Sequence, residues 1–286
     1  MPSLHVLFLL ITTMTVSYLP NPSISDTESF IYGGCSQMKY APSSPYESNL
    51  NSLLTSLVNS ATFSSYNNFT ITSPQDGSSA PVYGLFQCRG DLSSPDCSRC
   101  VSRAVSQLGV LCNGASGGAI QLQGCLIKYD NSTFLGVEDK TVVLKKCGVG
   151  TPEYDSDMVA RRDAVLAGLA SGGGQYRVGG SGRVQGISQC VGDLSAGECQ
   201  DCVSEAVSGL RAICGTSVSG DMFLVKCYVR YTATGVLDNY SHNYSDHSNS
   251  DDGERAFAIT IGLIAGVAVL VVFLAFLRKA FETKGK

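Results

Sequence analysis

Cysteine is the residue type in this sequence with the clearest capacity for chemistry. The stretch CRGDLSSPDCSRC, from Cys88 to Cys100, holds three cysteines, one Cys-x-x-Cys pair and an Arg-Gly-Asp tripeptide. Thiols at that spacing suit a zinc site, a redox dithiol or a disulfide scaffold. Zinc fingers usually recruit histidine or a second Cys-x-x-Cys, and the three histidines here, His5, His242 and His247, all lie away from this stretch. A catalytic dithiol favours a reducing compartment and a thioredoxin-like context.

The stretch occurs twice. With an offset of 102 residues, QCRGDLSSPDCSRCVSRAVSQL (Gln87 to Leu108) aligns without a gap on QCVGDLSAGECQDCVSEAVSGL (Gln189 to Leu210), matching at 14 of 22 positions. Cys88, Cys97, Cys100, Cys112 and Cys125 recur as Cys190, Cys199, Cys202, Cys214 and Cys227, and each set has an earlier member, Cys35 or Cys147. The 12 cysteines therefore form two groups of six within a duplicated domain, at about 27–137 and 141–236. Six per unit outside the cell implies a disulfide framework, although cysteine count alone allows fifteen pairings. Arg89-Gly90-Asp91 becomes Val191-Gly192-Asp193 in the copy, so Gly-Asp is kept and Arg is not. Such a pair before a helix reads as a turn, with Asp accepting from free amides. No histidine lies inside a repeat, so a His-assisted nucleophile has no candidate there and an enzyme is not expected. No cofactor or metal is expected either.

The elements that must position these cysteines follow from pattern. Ser44-Pro45-Tyr46-Glu47 has the form of a capping box with proline in the first turn. Leu50, Leu53, Leu54, Leu57 and Val58 then make one helical stripe. A second helix is predicted from Ser94-Pro95, with Cys97, Cys100, Val101, Ala104, Val105 and Leu108 on its core face. Its copy carries Cys199, Cys202, Val203, Ala206, Val207 and Leu210. In the other slot of the copy, Val159, Arg162, Val165, Leu166 and Leu169 keep the period with one polar lapse. Strands are predicted at Val82 to Cys88, Val184 to Cys190, Ile120 to Tyr129 and Met222 to Tyr231. Gly-rich Ser171 to Ser181 reads as a loop. The fold class is α+β: two tandem domains, each an antiparallel β-sheet backed by two α-helices and stapled by three disulfides.

The two ends differ in kind. Residues 1–25, with an apolar run from Leu4 to Leu19, read as a secretory signal peptide; a retained N-terminal anchor is the alternative. Ala256 to Leu277 is uncharged and long enough to form a C-terminal transmembrane helix. Asp251, Asp252 and Glu254 precede it, and Arg278, Lys279, Lys284 and Lys286 follow, which places 278–286 in the cytosol and the repeats outside. A tail that short holds no folded domain, so any signal passes through a partner. The tail is basic while the whole chain carries −4, so the ectodomain is acidic and nucleic acid is not an expected partner. The stalk, 237–255, is polar. Asn68, Asn131, Asn239 and Asn243 head Asn-x-Ser/Thr sequons and are candidate glycosylation sites. Gly262 and Gly266 form a Gly-x-x-x-Gly step suited to helix–helix contact and self-association in the membrane.

The cysteine spacing, Cys-x8-Cys-x2-Cys followed by Cys-x11-Cys and Cys-x12-Cys, resembles the plant ginkbilobin-2-homologous, or cysteine-rich secretory, domain. Two such units, a signal peptide, one span and a very short tail resemble the plasmodesmata-located protein family. The resemblance implies first-to-fifth, second-to-third and fourth-to-sixth bridges. These are Cys35–Cys112, Cys88–Cys97 and Cys100–Cys125, then Cys147–Cys214, Cys190–Cys199 and Cys202–Cys227. It implies a type I protein of the plasma membrane at plasmodesmata that modulates cell-to-cell trafficking through callose deposition. Immune signalling and docking of viral movement proteins are further implied roles. Implied partners are other plasmodesmal membrane proteins, receptor kinases, the callose-synthesis machinery and wall polysaccharide. The alternative is an apoplastic carbohydrate-binding co-receptor. The ginkbilobin seed protein binds mannose through an Asn, an Arg and an acid, whose positions here hold Ser36, Ala119 and Asp130, and in the copy Gly148, Asp221 and Thr232.

Overall fold

The computed structural model describes residues 26–72, 81–150 and 155–233. The signal segment, the stalk with Asn239 and Asn243, the apolar run 256–277 with Gly262 and Gly266, and the tail lie outside the described residues. Among the described residues no helix is long and apolar enough to cross a membrane.

In the first repeat the order is β1 (Phe30–Cys35), α1 (Pro45–Ser60), β2 (Tyr66–Ile71), β3 (Val82–Cys88), α2 (Ser94–Leu111), β4 (Gly118–Leu122) and β5 (Cys125–Asp130). The second repeats it with β6 (Val142–Cys147), α3 (Ser156–Ser171), β7 (Tyr176–Ser181), β8 (Val184–Cys190), α4 (Ala196–Cys214), β9 (Ser219–Leu224) and β10 (Cys227–Ala233). Each repeat folds into a five-stranded antiparallel sheet, in the orders β1-β4-β5-β3-β2 and β6-β9-β10-β8-β7. One face of each sheet carries the two helices.

Helix starts follow local chemistry. Ser44, Ser93 and Ser195 cap α1, α2 and α4 by accepting from the amides of Glu47, Asp96 and Glu198. Glu198 closes a full capping box on Ser195, whereas Glu47 reaches one residue further back to the amide of Ser43, at 2.6 Å. Cys97, Cys100, Val101, Ala104 and Leu108 face the core from α2, as the period predicts, with Val105 half-buried. The polar lapse in α3 has a cause: Arg162 is buried over the ring of Tyr231, 5.9 Å from its centroid, and donates to the carbonyl of Gly215 just past α4.

Two sequence expectations are corrected. The Gly-rich stretch Ser171 to Ser181 is not all loop: Tyr176–Ser181 is strand β7, paired with β8 from Tyr176↔Gln189 to Ser181↔Val184. Pairing across the sheet overrides the poor strand propensity of glycine. The segment Ile120 to Tyr129 is two strands, with the chain reversing at Gln123-Gly124 so that Gln121 faces Leu126; Met222 to Tyr231 likewise reverses at Val225-Lys226. The phase shift at Gly124 marks that reversal.

All 12 cysteines are bridged: Cys35–Cys112, Cys88–Cys97, Cys100–Cys125, Cys147–Cys214, Cys190–Cys199 and Cys202–Cys227. Two bridges per repeat tie helix α2 or α4 to its sheet, and the third ties the edge strand β1 or β6 to the helix end. Cys35–Cys112 spans 77 residues, a closure that restricts the unfolded chain by about 4–5 kcal/mol in the chain-entropy model.

Candidate functional site

The Gly-Asp pair at the heart of each repeat sits at a seam between the repeats. A Cβ on Gly90 would come within 2.5 Å of Cγ of Tyr176, a residue of the second repeat. A Cβ on Gly192 would come within 2.6 Å of Cγ of Tyr66, a residue of the first. Each repeat thus presses a tyrosine from β2 or β7 onto the glycine of the other, as in an isologous interface. Glutamines complete the exchange. Gln189 Nε2 donates to the carbonyl of Cys88 at 2.9 Å, and the amide of Gly192 donates to Gln87 Oε1 at 2.9 Å.

Apolar and aromatic contacts fill the rest. Leu85, Leu126 and Val191 form a buried cluster flanked by Tyr66, Phe134 and Leu135. Tyr32 meets Phe223 edge-on at 5.7 Å, and Phe223 stacks on Tyr228 at 5.0 Å. Burial lifts the hydroxyls of Tyr32 and Tyr228 well above the ordinary tyrosine range. A cavity of about 20 Å³ between Gln87, Gln121, Gln189 and Tyr228 has room for one water molecule.

The two aspartates do not cap helices; that task falls to Ser93 and Ser195. Asp91 holds Arg89 through paired contacts of 2.6 and 3.1 Å, and Arg89 also donates to the carbonyl of Gln123 at 3.0 Å. Burial pushes the Asp91 carboxyl up, but the Arg89 hydrogen bond and charge outweigh it and hold it below the usual range. The Arg-Gly-Asp tripeptide is thereby closed on itself. In the copy Val191 replaces Arg89, and Lys226, at the position of Gly124, supplies the missing cation. Its ammonium lies 2.5 Å from Asp193, with side-chain exposures of 2% and 5%. Lys226 also donates to the carbonyl of Phe134 at 2.9 Å, and Asp193 accepts from the amide of Gly136 at 2.9 Å. This buried pair clamps the segment joining the repeats onto the seam. Sequence reading missed it because Asp193 keeps the place of Asp91 while its cation moves to a distant position; the exchange of Arg89 and Gly124 for Val191 and Lys226 was the available signal.

Beyond the seam, an open cleft of about 380 Å³ lies on the helix-free face of the second sheet, lined by Gln185, Ile187, Ser219, Asp221, Arg230 and Thr232. Arg230 and Asp221 pair across neighbouring strands at 2.8 Å, and Arg230 also donates to Gln123 of the first repeat. Of the mannose positions, Asp221 and Thr232 line this cleft, and the Gly148 amide donates to the Ser219 carbonyl at 2.9 Å. In the first repeat Ser36 and Asp130 converge on Gly117: a Cβ there would lie 3.4 Å from Ser36 Cβ and 2.7 Å from Asp130 Oδ2. The Arg of that sugar site is absent from both repeats. Among the described residues no cluster of His, Cys, Asp and Glu is arranged to hold a metal ion. Asn68 is exposed on β2 and Asn131 is half-buried just after β5.

Comparison with known proteins fits this architecture. A family profile described as salt stress response/antifungal matches residues 34–132 and 147–234. Plasmodesmata-located protein 7 of Arabidopsis thaliana is 58% identical over 96% of this chain and 90% of its own length. This chain belongs to the plasmodesmata-located protein family. Plasmodesmata-located protein 6 of the same plant is also 58% identical, over 95% of each chain. Among solved structures, the tandem DUF26 ectodomain of the Arabidopsis thaliana cysteine-rich receptor-like protein PDLP5 is 47% identical. It superposes with a TM-score of 0.68 over 72% of this chain and 99% of that one. The corresponding PDLP8 ectodomain is 43% identical, with a TM-score of 0.69 over 73% of this chain and 100% of that one. The family's paired domains are thus the two repeats whose seam is described above.

Proposed function

We propose that this chain is a non-catalytic membrane protein of plasmodesmata that modulates cell-to-cell trafficking. The observation that carries this reading is the 58% identity to plasmodesmata-located protein 7, which runs across 96% of the chain and so takes in more than the disulfide-rich repeats. In this reading residues 1–25 direct secretion, 27–137 and 141–236 are the two extracellular domains, 237–255 is a stalk, 256–277 is the single span and 278–286 the cytosolic tail. The ectodomain works by contact, promoting callose deposition at the pore; immune signalling and docking of viral movement proteins use the same exposed surfaces. Gly262 and Gly266 bring two spans together, and replacing both with Leu abolishes proximity labelling between copies. The deciding experiment images a C-terminal fluorescent fusion against stained callose. Puncta coincident with callose at cell–cell walls support the proposal; an even plasma-membrane signal contradicts it.

A second reading, an apoplastic carbohydrate-binding co-receptor, draws on the cleft beside Arg230 and Asp221. Its hydroxyls, amide and paired ions offer both donors and acceptors above the apolar Ile187, a lining suited to sugar hydroxyls. A glycan array probed with the oxidised ectodomain separates the two: binding abolished by Arg230→Ala supports the co-receptor, and a blank array removes it.

A further inference from the structure

The two repeats diverge on the sheet face opposite the helices, at the terminal strand of each sheet. In the first repeat Asn68 on β2 stands opposite Leu85 on β3, which stands opposite Lys128 on β5. The same row in the second repeat reads Val178, Ile187 and Arg230, and Arg230 continues to Asp221. Asn68 is thus the counterpart of exposed Val178, and the second repeat contains no asparagine at all between Thr141 and Val236. Asn68 is exposed, belongs to an unpaired sheet edge and heads Asn68-Phe69-Thr70. Its Nδ2 donates to the hydroxyl of Tyr66 at 2.7 Å, and Tyr66 is the ring pressed onto Gly192 across the seam. Asn131 sits differently. It is half-buried beside a turn in which Asp130 Oδ1 accepts from the amide and hydroxyl of Ser132, at 3.0 and 2.7 Å.

We propose that Asn68 carries an N-linked oligosaccharide whose first sugar lies at the rim of the seam, beside Tyr66. The donor is a lipid-diphosphate-linked oligosaccharide of the secretory pathway. The bond from Nδ2 to the anomeric carbon forms as the bond from that carbon to the diphosphate breaks; the lipid diphosphate leaves and one Nδ2 proton is lost. The remaining Nδ2–H still donates to Tyr66, so modification is compatible with the hydrogen bond already present. A sugar here covers the free edge of β2, the kind of edge that otherwise invites strand pairing. The glycan-free repeat is then the one with the open cleft, which gives the ectodomain one shielded face and one bare face.

This inference rests on the lumenal placement of the repeats, and on nothing further in the plasmodesmal reading. The test is glycopeptide mass spectrometry of the full chain purified from plant cells, before and after treatment with peptide-N-glycosidase A. Thr70→Ala removes the sequon while keeping Asn68 and its bond to Tyr66, and Asn68→Gln removes both. An occupied Asn68 peptide, and loss of one glycan mass in either variant, is the expected result. Recovery of the Asn68 peptide unmodified overturns the proposal. If the sequons at Asn131, Asn239 and Asn243 are also bare, the lumenal placement falls with it; if those are occupied, only the assignment to Asn68 fails. Hydrogen exchange at the Gly192 amide tests the position: faster exchange in Thr70→Ala supports a sugar at the seam, and unchanged exchange overturns that placement.

Discussion

At the scale of single residues, the seam rests on two glycines and one buried ion pair. Adding a methyl group at Gly192 drives it to within 2.6 Å of Cγ at the base of the Tyr66 ring, so the ring must shift. Gly192→Ala is expected to cost about 1–3 kcal/mol, the usual range for overpacking, measured by denaturant unfolding of the oxidised ectodomain. Gly90→Ala meets Tyr176 in the same way. Removing the cation from the Lys226–Asp193 pair leaves a buried carboxylate uncompensated. Lys226→Met is therefore expected to cost about 3–5 kcal/mol, and the double variant Lys226→Met/Asp193→Leu to regain most of it. A Lys226→Met protein as stable as the parent would show that the clamp contributes nothing. The tripeptide Arg89-Gly90-Asp91 is explained at this scale too: its ends bind each other and its centre receives Tyr176.

At the scale of elements, the duplicated strands exchange bulk across the sheet. Asn67 on β2 pairs with Phe86 on β3, whereas Arg177 on β7 pairs with Ser188 on β8, so each pair holds one large and one small side chain in opposite order. Arg177 uses its position to tie the end of α3 to the loop after it, donating to the carbonyl of Leu169 at 2.7 Å and of Gly174 at 2.9 Å. Because the pair fills one volume, Arg177→Asn and Ser188→Phe are each expected to destabilise, and the double variant to cost less than their sum by roughly 1–3 kcal/mol. Strict additivity in that cycle would contradict the exchange. Much of the helical half of each repeat was legible beforehand, because serine caps and 3.6-residue stripes are local signals. Strands β1 and β6 carried little such signal: β1 is mostly exposed, and neither alternates cleanly between apolar and polar. Strand β7 was hidden by its glycines, since only the pairing with β8 makes it extended. The bridge pairing came from family resemblance and not from spacing.

At the scale of the whole molecule, the repeats form one contact body in which burial raises several individual tyrosines. Tyr129 is pushed up to about 12, chiefly by burial, and Tyr32, Tyr46 and Tyr228 are raised as well. A group whose folded pKa is raised contributes its full stability below the unfolded value of about 10 and loses it as pH rises through the folded value. Stability, measured by denaturant unfolding of the oxidised ectodomain, is thus expected to fall between about pH 10 and 12. Unchanged stability across that range would contradict this. The seam itself lay beyond sequence reading, because Tyr66 meets Gly192 and Tyr176 meets Gly90 only after both repeats have folded. The most direct test of the account is scanning calorimetry of the oxidised ectodomain, residues 26–233. One transition, with calorimetric and van't Hoff enthalpies equal, is the expected result for two repeats joined by a reciprocal seam. Two separable transitions, one for each repeat, would contradict it.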